Sequence, residues 1–328
     1  MQTHLKNYVY FELDDTDFTA KTIQSPRANG SILIPRSVKH RNQQYIVKTL
    51  GENSFRDNKN ITSIEFADDS ELLTIEKEAF FGSSLEKLTI PASVKEFQEG
   101  WCSFTPKLTK VEVSPDNPNF TSIDNEIIIG KSNENSTDFD LFIFASRSIS
   151  RVLISESIKR ICAYSFNDCY NVKYIQFKRD SQLTSIDNCA FLYSSVERLS
   201  IPKTVEHLNE GWCNGTTKLS KIELSPENQH FQAIGQNILV KKSNKYEKKC
   251  DILVFACRNL NKVVIPPYIK EIEKYAFSGC QYLKTVEFAK DGKLTKIDDF
   301  AFAFSSLEFI HIPISVKYIG WRSFFGCK

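Results

Sequence analysis

The chain has 328 residues, 41% apolar and 12% aromatic, which is enough to bury a sizeable core and too hydrophobic for a disordered tail. Its 42 Lys and Arg against 40 Asp and Glu leave a formal charge of +2, so bulk electrostatics do not suggest a polyanion binder and any argument from charge must be local. The opening MQTHLKNYVYFELDDTD carries no apolar segment of secretory type, and no stretch approaches ~18 uncharged apolar residues, so neither a signal nor a membrane span is expected.

In chain order, YVYFEL and FTAKTI alternate like two strands joined by the acidic turn Asp14-Asp15-Thr16-Asp17. They predict a β-hairpin cap over residues 1–30, covering a first rung that runs through Ile32, Ile34, Val47, Leu50 and Phe55. From Ile61 onward the chain repeats itself. A shift of 111 residues superposes ITSIEF on VKYIQF and that on LKTVEF, and it sets Glu99-Gly100-Trp101-Cys102 on Glu210-Gly211-Trp212-Cys213. Each module holds units of 24, 23, 41 and 23 residues, starting at Ile61, Leu85, Leu108 and Ile149, then at Val172, Val196, Leu219 and Leu260. A third copy begins at Leu283.

Every unit opens on an alternating segment such as LEKLTI, LTKVEV, VERLSI or LNKVVI, the pattern of a short half-buried strand. A turn follows, often with proline (Pro91, Pro202, Pro266, Pro313). A second apolar pair three apart comes next (Val94 and Phe97, Leu183 and Ile186, Ile269 and Ile272), and the unit closes on Ala-Phe or Ser-Phe. No unit of this length buries its own apolar face, so neighbours must stack with their strands paired in parallel. The predicted fold is a β-rich repeat solenoid of about eleven units over 31–328, with short helices or none. The two 41-residue units add SPDNPNF or SPENQHF and two apolar runs apiece, predicting hairpin insertions near 126–145 and 237–256 that stand out from one side.

The unit L-x-x-I-x-I-P-x-S-V-x-x-I-x-x-x-A-F-x-x-C, nearly intact in LNKVVIPPYIKEIEKYAFSGC and LEFIHIPISVKYIGWRSFFGC, resembles the repeat of the BspA-like leucine-rich proteins over residues 31 to 328. The resemblance implies a leucine-rich-repeat superhelix and a role at the surface of bacteria or parasitic protists, in adhesion to host proteins or other cells. It supplies no catalytic residues.

The residues themselves point away from an enzyme. Five histidines (His4, His40, His207, His230, His311) share no face and none sits beside a cysteine at metal-ligand spacing, so no metal site is expected. With 12 glycines the chain shows no phosphate loop and neither G-x-S-x-G nor H-E-x-x-H, and no cofactor is expected. Asp68-Asp69 and Asp298-Asp299 fall at turns, where carboxylates are ordinarily solvated. Of the nine cysteines, Cys169 and Cys280 occupy one slot four rungs apart, about 19 Å at the strand spacing, as do Cys102 and Cys213. A disulfide needs Cα atoms within ~7 Å, so the thiols read as reduced core residues and favour a cytoplasmic setting, against the surface location that the resemblance implies. Five sequons, at Asn29, Asn60, Asn119, Asn135 and Asn214, pull the other way. Trp101 and Trp212 stand where other units have alanine, next to a cysteine in place of phenylalanine, an exchange that conserves core volume; Trp321 should face outward.

The best candidate binding surface is the outward face of the first strands. Its first column reads Ser63, Lys87, Lys110, Arg151, Tyr174, Arg198, Lys221, Lys262, Thr285 and Phe309, six of ten basic. The second column reads Glu65, Thr89, Glu112, Leu153, Gln176, Ser200, Glu223, Val264, Glu287 and His311, and its four carboxylates offset part of that charge. Arg151 and Lys262 share their rungs with Leu153 and Val264 and are expected to lack an acidic partner. Three functions stay open at this point. One is adhesion or recognition of a protein or glycan through Lys87, Lys110, Arg151, Tyr174, Arg198, Lys221 and Lys262. The others are an intracellular interaction scaffold and a structural array that associates through an uncapped rung at Leu307 to Ile312. Nucleic acid is not expected, since base-stacking aromatics are sparse along the stripe.

Overall fold

The computed structural model describes residues 2–4 and 7–328; Met1, Leu5 and Lys6 of the expected cap lie outside the described residues. Among the described residues there are strands and turns but no α-helix. The chain forms two compact units, Met1–Ile149 with Ile161–Cys169 and Ser150–Arg160 with Tyr170–Lys328, and each is a β-solenoid built from the repeat.

In the first unit the opening strands of successive rungs, Gly30–Ile34, Ile61–Phe66, Lys87–Ile90 and Lys110–Val113, make one parallel ladder. Its register puts Ile32, Ile64, Leu88 and Val111 side by side, all buried, which is what the alternation requires if one face meets the core. The second apolar pair of each unit, to which the sequence assigns no strand, forms a ladder as well. Thr74–Ile75 and Glu96–Phe97 pair in parallel with each other, and Thr74–Ile75 also pairs with Gln43–Leu50. At the rung ends the closing phenylalanines stack: Phe55 on Phe80 with centroids 5.5 Å apart and planes at 7°. The N-terminal segment is an antiparallel hairpin of Tyr10–Asp14 and Thr19–Ile23, flanked by Gln2–His4, and Thr19–Ile23 pairs in parallel with Gln43–Leu50. Val9, Phe11 and Leu13 of this segment are buried.

The second unit repeats the plan. Val152–Ile154, Tyr174–Phe177, Arg198–Ile201 and Lys221–Leu224 form one parallel ladder, and Lys262–Ile265 pairs with Thr285–Phe288. Phe277, Phe302 and Phe324 form a continuous stack with centroids 4.8 and 5.3 Å apart. Offset stacks of this kind add about 0.5–1.5 kcal/mol per pair beyond area burial. Leu307 to Ile312 does not form the expected open strand; it contributes Leu307 to the core without joining the ladder.

The insertions in the two 41-residue units are larger than a hairpin. Each is three antiparallel strands, Phe120–Ile123, Ile127–Gly130 and Leu141–Ala145 in the first unit and Phe231–Ile234, Ile238–Lys241 and Ile252–Ala256 in the second. Ile252–Ala256 does not stand clear. It pairs in parallel with Glu271–Ile272, which continues through Lys296–Ile297 to Tyr318–Ile319. The cause is composition: LFIFA and ILVFA are apolar at consecutive positions, and Leu253, Val254 and Phe255 are all buried, so the strand needs cover on both faces.

Two buried polar side chains hold each insertion in place. Asn228 donates to the carbonyls of Pro202 (2.9 Å) and Val205 (3.0 Å), while its Oδ1 accepts from the amides of His230 and Phe231. Asn117 makes the same four bonds in the first unit, to Pro91, Val94, Asn119 and Phe120. All of the amide's main bonding capacity is used, so the buried group is not a liability. At the far end of the insertion Arg258, 1% exposed, donates from Nη1 to the carbonyls of Ala256 (3.2 Å) and Ala276 (3.0 Å) and to Cys280 Sγ (3.5 Å), and from Nη2 to Cys213 Sγ (3.8 Å). Its guanidinium also lies 4.6 Å from the Phe255 ring. Arg147 repeats the arrangement with Ala145, Cys102, Cys169 and Phe144. Trp101 and Trp212, 4% and 3% exposed, pack against Phe144 and Phe255, as the volume exchange requires, and Trp321 is 61% exposed.

Asn228→Ala removes four hydrogen bonds to buried backbone and should cost about 2–4 kcal/mol in urea unfolding, whereas Gln229→Ala at the exposed neighbour should stay within about 0.5 kcal/mol. A loss at Asn228 below about 1 kcal/mol would contradict the anchoring role. Among the described residues Cys102, Cys169, Cys213, Cys250, Cys257 and Cys280 are buried, and Cys162, Cys189 and Cys327 are half-buried. Burial pushes the Cys102 and Cys213 thiols up to about 12, with the neighbouring arginine pulling against it. Titration with a thiol reagent at pH 8 should therefore find at most the three half-buried cysteines reacting fast, and all nine only in denaturant.

Candidate binding face

On a pleated strand whose alternate residues enter the core, the others must face outward. In the first unit this places Ser31, Ser63, Lys87 and Lys110 in one column, with Ser31 and Ser63 hydrogen-bonded at 2.5 Å and Lys87 directly opposite Lys110. Two like charges one strand apart repel, and Glu112 relieves the second of them, its carboxylate 3.7 Å from Lys110 Nζ.

In the second unit the register sets Tyr174 beside Arg198 and Arg198 beside Lys221, with Arg151 just before the strand that pairs with Tyr174–Phe177. The second column on the same face is Leu153, Gln176, Ser200 and Glu223. Lys221 lies 2.6 Å from Glu223, whose carboxyl is held below its usual range first by that hydrogen bond and further by the charges of Lys221 and Arg198. Lys262 does not lack an acid. Its ammonium is 2.6 Å from Glu287 of the next rung, because a parallel register brings the second column of one strand within reach of the first column of its neighbour.

The structure therefore sorts the six cations. Lys110, Lys221 and Lys262 are paired with glutamates, and exposed pairs of this kind leave little net field for a partner. Lys87, Arg151 and Arg198 are exposed and make no ion pair among the described residues. Two of these three, Arg151 and Arg198, flank Tyr174 (44% exposed), with Leu153 (56% exposed) beside it. Leu153, Tyr174, Gln176, Phe177, Arg198, Ser200 and Glu223 line an open groove of about 460 Å³. Nothing in the column of charges marks Leu153 and Tyr174 as an apolar centre; the signal was a leucine and a tyrosine where other units carry glutamate or lysine.

Among the described residues no three His, Cys, Asp or Glu side chains are grouped to hold a metal ion, and no helix is long and apolar enough to cross a membrane. A family model described as a BspA type leucine rich repeat region matches residues 37–139, 137–247 and 248–328. Among solved structures, the chain is similar to a leucine rich cell surface protein from Faecalibacterium prausnitzii, 20% identical over 100% of this chain and 80% of that one, with a TM-score of 0.57. A leucine-rich repeat protein from Eubacterium ventriosum aligns at 18% identity over 100% and 95% of the two chains, with a TM-score of 0.53. At these identities the likeness is one of fold. Among curated proteins none matches the chain.

Proposed function

We propose, from the premise that the chain belongs to the BspA-type leucine-rich repeat family, that it is a recognition scaffold whose sheet face in the second unit binds an acidic segment of a partner protein. The observation that carries the proposal is the cluster of Arg151, Tyr174, Arg198 and Leu153: two exposed guanidiniums, neither in direct contact with a carboxylate among the described residues although the charge of Arg198 reaches Glu223, flank an exposed aromatic ring and an exposed leucine. Arginine presents a fork that matches a carboxylate, and arginine and tyrosine are the residues that dominate binding energy at protein interfaces. A repeat scaffold of this family supports adhesion as the setting, and one structural relative is described as a cell surface protein. Buried thiols such as Cys102, Cys213 and Cys280 favour a reducing compartment and an intracellular scaffold as the second reading. Surface biotinylation of intact cells separates the two.

The binding test compares two double charge reversals against a short acidic peptide carrying leucine and against a sulfated oligosaccharide, by fluorescence anisotropy. Arg151→Glu with Arg198→Glu should weaken the peptide by about 30-fold or more and remove most of its salt dependence, with little change in melting temperature. Lys221→Glu with Lys262→Glu, which reverses cations already matched by glutamate, should change affinity only a few-fold. Equal losses in both would mean a diffuse field rather than a site, and tighter binding of the oligosaccharide would move the assignment to a glycan.

A further inference from the structure

Several of the differences between the two modules meet in one place. Residues 111 apart in the sequence occupy equivalent positions in the two units. In the first unit this place is filled with hydrocarbon. Phe97 packs 4.9 Å from Trp101 and 4.8 Å from Phe120, and Gly130 is so close to Ile143 and Phe120 that even a Cβ there would come within 2.6 and 2.7 Å of their side chains.

In the second unit the corresponding residues are Leu208 for Phe97, Val254 for Ile143, Lys241 for Gly130, Glu273 for Cys162 and Lys274 for Ala163. Two of these exchanges remove apolar volume and three bring in charge. The result is a cavity of about 280 Å³ whose walls include Leu208, Glu210, Trp212, Lys241, Glu273 and Tyr275. Lys241 Nζ lies 2.6 Å from Glu273 Oε1, Lys274 Nζ lies 3.1 Å from Glu210 and 3.4 Å from Asp299, and the Tyr275 ring is held by stacking on Phe300 at 5.2 Å. Stability does not explain the exchange. A half-buried ion pair loses in desolvation much of what it gains in attraction, and an apolar filling like that of the first unit serves a solenoid at least as well. Burial also holds the Glu273 carboxyl above its usual range, opposed by Lys241.

The charge balance of the walls selects the ligand. In and around the cavity five carboxylates, Glu210, Glu271, Glu273, Asp298 and Asp299, meet three ammoniums, Lys241, Lys274 and Lys296, and the bond from Lys241 engages only Oε1 of Glu273. Aromatic rings complete the wall at Tyr275 and Trp212, and aromatic faces attract cations. The volume lies at the small end of ligand pockets, roughly 300–1,000 Å³, so only a charged head and a short aliphatic stem fit. We propose that this cavity of the second unit is a binding site for a primary ammonium or guanidinium group, carried either by a small organic amine or by a basic side chain of a partner.

The experiment is a ¹⁵N NMR titration of the whole chain that follows the indole N–H of Trp212 and that of Trp101, its equivalent in the first unit. Butylamine and agmatine should shift Trp212 saturably and leave Trp101 in place, whereas butanol and butyrate should do neither. Glu273→Gln should weaken the amines by about tenfold or more, as loss of a charge-assisted bond implies. Lys241→Gly with Glu273→Cys, which restores the residues of the first unit, should abolish the response. An N-acetyl-lysine amide that binds more tightly than butylamine assigns the site to a partner's side chain, and the reverse order assigns it to a free amine. Butyrate binding as well as butylamine, equal shifts at both tryptophans, an unchanged Glu273→Gln, or no shift with any amine in the wild type would each overturn the proposal. The wild-type series decides this even if a variant fails to fold.

Discussion

A single rung of this protein cannot exist alone. Its 23 or 24 residues supply three inward side chains from one strand, an apolar pair after the turn and a closing phenylalanine, and all of these stay wet until another rung lies against them. Everything else follows from that constraint. Neighbouring rungs must pair in parallel, in a register that keeps Ile32, Ile64, Leu88 and Val111 on the same side. The phenylalanines must stack face on face, as Phe277, Phe302 and Phe324 do. Anything added to a rung must restore the ladder it interrupts, which is why the last strand of the second insertion runs on into Glu271–Ile272.

The same constraint explains what could be read from the sequence. Period-two alternation repeated at fixed intervals located the opening strands, the inward residues and the outward columns, and the exchange of Ala-Phe for Trp-Cys identified Trp101 and Trp212 as core residues. The second ladder escaped because a two-residue strand such as Thr74–Ile75 or Glu96–Phe97 is too short to show a period. A run such as LFIFA, apolar at every position, fits a projecting hairpin or a doubly covered strand equally well, and only its neighbours decide. Arg147 and Arg258 sit in ASRSI and ACRNL, which read as loop, yet carbonyls, thiols and an aromatic ring enclose each of them. The Lys262–Glu287 pair is invisible within a single rung, because parallel pairing brings the acid from the next.

A duplicated scaffold also supplies its own control. Where two modules keep the same residues, as at Asn117 and Asn228 or Arg147 and Arg258, the shared residue serves the stack. Where they part, the stack does not demand the difference. The groove at Tyr174 and the cavity at Glu273 are both places of that second kind, one on the outward sheet face and one beside the inserted strands of the second unit. Neither disturbs the core beneath it, since Ile175, Leu199 and Phe255 remain buried.

The central claim is that stability resides in contacts between successive rungs rather than in any one of them. It is tested most directly by excising one complete rung, residues 61–84, so that Asn60 is joined to Leu85 and Lys87–Ile90 falls in register against Gly30–Ile34. The account predicts a folded chain that unfolds cooperatively, with a modest drop in melting temperature and an unchanged β circular dichroism spectrum per residue. A matched deletion of half that rung, residues 61–72, should unfold or aggregate because it throws every inward residue of the junction out of register. If excision of the whole rung is as damaging as excision of the half, the rungs are not interchangeable units and the account is wrong.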